Sequence, residues 1–264
     1  MPTVRVNGVE LYYELHGSGD EVVVLNNGVI ASTATWGSQL PALAPHYRVL
    51  LYDMRGQGQS QKWSTGGPDF TWGAHADDLA ALMDALGIAQ AHIAGISYGG
   101  ELSLVFALRY PERCRKLIVA DSVSDVQPHL QAIIESWIIA AESGDHERFY
   151  RTTWFWNFSE EFFQSAYSLL VSRIDAAKKL DLPSVIQLCR CFNRLDITDQ
   201  LAQIRLPTCV IVGERDILKP PHYSQTIARE IGGAEYHLLP GAGHASFWEK
   251  PAEFNSVVLG FLQK

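Results

Sequence analysis

The residues most able to do chemistry lie in Ala94-Gly95-Ile96-Ser97-Tyr98-Gly99-Gly100. A serine hydroxyl is a poor nucleophile until a base takes its proton. Here Ser97 sits in a G-x-S-x-G pattern. Ala91-His92-Ile93-Ala94 precedes it and reads as a buried strand. Glu101-Leu102-Ser103-Leu104-Val105-Phe106-Ala107 follows and reads as a helix. A sharp strand-to-helix turn holds the serine in a strained conformation, projects its hydroxyl and uses glycines where chains approach closely. The Tyr98 backbone N–H then lies at a helix N-terminus, where it can meet a developing oxyanion. The pattern points to nucleophilic attack by Ser97. A turn serine without chemistry is the competing reading, and the strand and helix on either side weigh against it.

A nucleophilic serine needs a base. Leu239-Pro240-Gly241-Ala242-Gly243-His244 follows the last strand-like run, and its glycines suit a loop that swings His244 over a sheet edge. His75 and His92 read as helix-surface or core residues, His222 and His237 as surface or strand residues. A carboxylate should hold the imidazole tautomer and stabilise imidazolium. Val210-Ile211-Val212-Gly213-Glu214-Arg215-Asp216 runs from a strand into a loop and offers Asp216; Glu214 and Asp121 are the alternatives. The resulting chain order is Ser, Asp, His. Asn26-Asn27-Gly28-Val29 follows an early strand, and the Val29 backbone N–H is expected to be the second oxyanion donor.

These loops require a sheet to hang from. Val4-Arg5-Val6 and Leu11-Tyr12-Tyr13-Glu14-Leu15 flank Asn7-Gly8 and suggest an opening hairpin. Val22–Leu25, Val49–Tyr52, His92–Gly95, Leu117–Ala120, Cys209–Val212 and Tyr236–Leu239 are further strand candidates. The middle runs are continuously apolar, as when helices cover both faces of a mostly parallel sheet. Helices are expected over Ala76–Leu86, Gly99–Tyr110 and Pro251–Leu262. Alternating strands and helices give an α/β fold with an eight-stranded, mostly parallel sheet.

The segment from about Asp125 to Asp196 breaks this rhythm. It has no convincing strand and is rich in Trp, Phe and Tyr. It is expected to be a helical lid, so that residues 1–124 and 197–264 form the core domain and 125–196 the cap. Most of its aromatic residues should simply pack the cap. Trp137, Trp154 and Trp156 are candidates for the wall of an apolar pocket.

Composition narrows the partners. The 264 residues are 47% hydrophobic and 19% charged, which is ordinary for a globular domain. A net charge of −8 argues against nucleic acid and against a polybasic membrane patch. No apolar run approaches the roughly 20 residues of a spanning helix, and the Met1-Pro2-Thr3-Val4 start lacks a signal-peptide core. Cys114, Cys189, Cys191 and Cys209 have no metal-ligand spacing and read as buried thiols. The expectation is a cytoplasmic protein without metal or organic cofactor, acting on a small acyl substrate; a homodimer is left open.

Taken together these residues resemble the α/β-hydrolase superfamily over essentially the whole chain. The resemblance also covers Asp53-Met54-Arg55-Gly56-Gln57-Gly58-Gln59-Ser60, similar to the family's D-x-R-G-x-G-x-S turn, which is structural. Two departures stand out: Asn27-Gly28 replaces a usual His-Gly, and Gln57 replaces a frequent His. A serine nucleophile sets the chain apart from the haloalkane-dehalogenase and epoxide-hydrolase branches, which use Asp. The Asn27-to-Trp36 stretch resembles the enol-lactonase and small-esterase group and, more locally, hydroxyacyl transferases of rhamnolipid and polyhydroxyalkanoate synthesis. The resemblance implies ester or lactone hydrolysis. Acyl transfer or thioester hydrolysis is the alternative, followed by a ligand-binding pseudoenzyme.

Overall fold

The computed structural model describes residues 2–65 and 70–264. Eight strands form one sheet: β1 (Thr3–Val6), β2 (Val9–His16), β3 (Val22–Asn26), β4 (Arg48–Tyr52), β5 (Ala91–Ile96), β6 (Cys114–Ala120), β7 (Thr208–Gly213) and β8 (Glu235–Leu239). Their order across the sheet is β1-β2-β4-β3-β5-β6-β7-β8. The pairs β1–β2 and β2–β4 are antiparallel and all others are parallel. The opening hairpin turns at Asn7 and Gly8, both at positive φ, as a two-residue loop between twisted strands requires.

β3, β5 and β7 are buried along their whole length. Alternate residues feed two cores. Val22 and Val24 pack with Leu79, Leu102 and Ile227 on one face; Val23 and Leu25 pack with Leu43, Phe254 and Phe261 on the other. Helices therefore cover both faces, and continuous apolar strands are the result. The helix expected from Ala76 begins a turn earlier, at Trp72, because the Thr71 side chain accepts the Ala74 N–H and caps it.

After β3 the chain crosses to β4 on one side, and then to β5 on the other. Such a reversal opens a crevice outside the C-terminal strand ends. The loops at Asn27-Gly28 and Ser97 leave β3 and β5 at that point.

Between β6 and β7 the sheet gains no strand among the described residues. Helices Pro128–Glu142, His146–Thr153, Glu160–Ser165, Tyr167–Ser172, Ile174–Ala177 and Leu182–Phe192 fill the interval. An isolated bridge between Asp125 and Asp196 joins its two ends. The longest two, Pro128–Glu142 and Leu182–Phe192, pack side by side. None of the described helices is long and apolar enough to cross a membrane.

Candidate active site

Ser97 has φ 52° and ψ −125°, a left-handed conformation that a non-glycine residue adopts only under constraint. Its N–H is held by the Ala120 carbonyl at 2.8 Å. The turn exists because its glycines are bare. A Cβ on Gly95 would lie 2.1 Å from the Gly99 carbonyl oxygen, and one on Gly99 would lie 2.1 Å from that of Asn26. The helix Tyr98–Arg109 starts immediately after the serine. The Ser97 carbonyl accepts the Gly100 N–H at 2.8 Å and the Glu101 N–H at 3.1 Å and so opens this helix.

Three side chains meet here. His244 Nε2 lies 2.9 Å from Ser97 Oγ, and His244 Nδ1 lies 2.8 Å from Asp216 Oδ2. Asp216 Oδ1 accepts the backbone N–H groups of Leu218 at 2.9 Å and Lys219 at 2.8 Å. All three residues are buried. With Nδ1–H donated to the carboxylate, Nε2 is left bare to take the serine proton.

Both alternatives for the acid are engaged elsewhere. Asp121 accepts the Gly213 N–H at 2.9 Å and the Ser246 hydroxyl at 2.6 Å. It therefore braces the loops that carry Asp216 and His244. Burial, then the charge of Asp216, pushes its carboxyl well above the usual carboxylate range. Glu214 accepts the Gly241 N–H at 2.8 Å, again supporting the histidine loop.

The loop after β3 runs beside the serine: a Cβ on Gly28 would lie 3.6 Å from Ser97 Cβ. Val29 and Tyr98 both line the cavity that Ser97 faces. The loop is held by buried amides. Asn27 donates to the Tyr52 carbonyl at 2.8 Å and accepts the Trp36 indole N–H at 2.6 Å. Asp53 Oδ1 accepts the Thr33 N–H at 2.8 Å, and Gln57 accepts that of Ala31 at 3.2 Å. The Asp53–Ser60 turn thus serves as a brace for this loop. Ile30, at φ 58°, carries the strain, unusual for a β-branched residue.

The cavity measures about 1020 Å³ and is walled by the core loops and by the helical segment. Trp137, Trp154, Ile134, Leu188 and Phe158 form part of its apolar wall. Trp156 does not: the expectation that it lines the pocket is corrected. It lies on the tight turn Trp154–Asn157, where residues two apart point to different sides, and its ring lies against Phe155.

A model of the alpha/beta hydrolase fold matches residues 21–141. A protein of Caulobacter sp. (strain K31) named "Putative carbamate hydrolase RutD" is 30% identical over 257 residues, covering 96% of this chain and 95% of its own. The chain belongs to the α/β-hydrolase family. Two solved α/β-hydrolase-like structures are similar along their full length. MGS-M2, an alpha/beta hydrolase enzyme from a Medee basin deep-sea metagenome library, superposes with a TM-score of 0.94 at 31% identity, covering 100% of this chain and 98% of that one. The enol-lactonase from Burkholderia xenovorans LB400 superposes with a TM-score of 0.91 at 26% identity, covering 100% of both.

Two further residues of this α/β hydrolase reach the site without a motif to announce them. Lys219 Nζ lies 3.1 Å from Ser97 Oγ and 2.9 and 3.0 Å from the two Glu101 carboxylate oxygens. Both side chains are buried. Burial raises the Glu101 carboxyl, Lys219 lowers it, and it is pushed up to about 7. Nearby, His75 Nε2 lies in hydrogen-bond contact with the Tyr98 hydroxyl at 3.0 Å. Burial and then the Arg55 charge push its imidazole down to about 3, so it is neutral at pH 7. The four cysteines are free and buried; burial pushes the Cys189 thiol up to about 12 and keeps it unreactive.

Proposed function

We propose that this α/β hydrolase cleaves a carboxylic ester or lactone through an acyl-enzyme on Ser97. The observation that carries the reading is the continuous chain of hydrogen bonds Ser97–His244–Asp216 at the floor of a large apolar cavity. Ser97 Oγ attacks the carbonyl carbon while His244 Nε2 takes its proton. The carbonyl oxygen becomes an oxyanion facing the Val29 and Tyr98 N–H groups. The tetrahedral species collapses, the bond to the leaving oxygen breaks, and His244 returns the proton to that oxygen. Water then attacks the acyl-enzyme in the same way and Ser97 is regenerated. Asp216 accepts the Nδ1–H and stabilises imidazolium.

In this reading segment 125–196 is a cap whose apolar wall selects the acyl or leaving group. Similarity to an enol-lactonase along the full chain supports a lactone or small ester. The second reading is a carbamate carbonyl, favoured by the Caulobacter relative's name. A carbamate can be attacked by the same residues. Hydrolysis is tested with a panel of aryl esters, lactones, carbamates and acyl thioesters, each with and without an alcohol acceptor. The reading predicts turnover of esters or lactones that does not depend on acceptor. Turnover of thioesters alone would assign thioester hydrolysis, and turnover only with acceptor would assign acyl transfer. A protein that binds these compounds and turns none over would be a receptor.

A further inference from the structure

Lys219 is the one buried lysine among the described residues. Burying an ion pair costs several kcal/mol per ion before attraction is counted, and a pair of apolar residues often serves stability as well. The pair is therefore poorly explained as a clamp alone. Its place is informative: the ammonium touches the very oxygen that is to react.

We propose that Lys219 is a further catalytic residue, a hydrogen-bond donor to the nucleophilic oxygen of Ser97, and that Glu101 positions it. This rests on the reading of Ser97 as nucleophile. The Ser97 hydroxyl has one proton, directed at His244 Nε2. A lysine ammonium has three protons and no acceptor, so the contact with Ser97 runs from Nζ to an Oγ lone pair. The other two protons go to the Glu101 oxygens. Glu101 is fixed in turn by accepting the Val123 N–H at 2.9 Å. The lysine backbone N–H is held by Asp216 at 2.8 Å, so one residue binds the triad acid through its main chain and the nucleophile through its side chain.

The chemistry follows from charge on Oγ. During acylation the proton leaves Oγ for His244 Nε2 as the Oγ–carbon bond forms, and the carbonyl π bond passes to the oxyanion. During deacylation the same Oγ–carbon bond breaks and Oγ regains its proton from His244. Negative charge passes over Oγ in both steps, and a fixed ammonium stabilises it. Lys219 acts here as a hydrogen-bond donor and transfers no proton. With Glu101 ionised the pair is neutral overall, so the cation adds local polarity rather than net charge to the site.

The test is pre-steady-state kinetics of the full chain with p-nitrophenyl butyrate, alongside the rate of Ser97 labelling by a fluorophosphonate. The variant Lys219→Met/Glu101→Gln removes both charges together and keeps an acceptor for the Val123 N–H. Loss of one oxyanion-hole donor costs about 10²- to 10³-fold. Charge on Oγ is smaller and shorter-lived, so acylation, deacylation and labelling should each slow by about 10- to 100-fold. Ester affinity before acylation should not change. A folded variant with rates within about twofold of the parent, or with weakened binding alone, would overturn the proposal. Should the double variant not fold, Lys219→Met serves, since the Glu101 carboxyl, already raised by burial, takes up a proton once the ammonium is gone. It should slow acylation about 10-fold with unchanged affinity, and an unchanged rate again overturns the idea. A parent protein that forms no Ser97 adduct removes the nucleophile reading and this proposal with it. Labelled parent and equally reactive variants remove this proposal alone.

Discussion

Replacing Asp216 by Asn should cripple catalysis while leaving the fold intact, and the hydrogen bonds say why. Asp216 Oδ1 accepts two backbone N–H groups, from Leu218 and Lys219. In the asparagine only the amide oxygen can do this, so the amide NH₂ must turn toward His244 Nδ1. Two donors cannot face each other, and the imidazole is driven to the tautomer protonated on Nε2. That proton then points at Ser97 Oγ, and the base has no lone pair for the serine proton. Tautomer inversion of this kind costs about 10⁴-fold in kcat, or about 5 kcal/mol of transition-state stabilisation. KM should stay put, because no group that binds substrate has moved. Stability should change little, since the Asp216 charge also disfavours ionised Asp121. Asp121→Asn is the matched control. It keeps an acceptor for the Gly213 N–H, and the Ser246 hydroxyl can turn to accept from the amide. Its loss should stay within about tenfold. Steady-state kinetics on an activated aryl ester, with circular dichroism to check folding, decides. A folded Asp216→Asn variant within tenfold of the parent, or Asp121→Asn as the crippled one, would refute the assignment of the acid.

Three other outcomes are expected. Trp137→Leu and Trp154→Leu should reorder kcat/KM across an ester chain-length series by about 1–3 kcal/mol per methylene gained or lost, whereas Trp156→Leu should leave the order unchanged; identical rankings in all three would assign specificity to the core loops. His75 is neutral in the fold with its imidazole pushed down to about 3, while the unfolded chain takes up that proton near pH 6.5. Its contribution to stability is complete above pH 6.5 and is lost as pH falls toward 3, on the order of a few kcal/mol by pH 4.5. Urea unfolding of parent and His75→Gln at pH 7 and 4.5 should show that difference, and parallel pH slopes would contradict it. Exhaustive dialysis against a chelator should leave kcat unchanged, because nucleophile, base and oxyanion donors are all protein groups; loss of activity restored by one metal would say otherwise.

The parts of the site that could be read in advance share a property. Ser97, Asp216 and His244 each follow a strand-like run, and each sits in a loop whose composition is unusual for a local reason. The elbow glycines are needed because a Cβ at Gly95 or Gly99 would collide with backbone. The sheet was equally legible, since strands covered on both faces are apolar throughout. Lys219 and Glu101 have no such mark. They are 118 residues apart and meet only because β5 and β7 flank β6. In sequence, Lys219 is one residue of Ile217-Leu218-Lys219-Pro220 and Glu101 one residue of a helix, and both types usually lie in water. Segment 125–196 was less legible for a different reason. Its aromatic residues are too dense to show a helical period, so Trp154 and Trp156 look alike until the tight turn separates them.

The central claim is that Ser97 becomes acylated. Incubation with a fluorophosphonate, followed by proteolysis and mass spectrometry, addresses it without knowledge of the substrate. The account predicts one adduct per chain, on the peptide holding Ser97, with ester hydrolysis lost in proportion to the label gained. It also predicts no label in Ser97→Ala, and a loss of kcat of about 10⁶-fold in that variant. An adduct on another residue, or ester hydrolysis that survives Ser97→Ala, would contradict it.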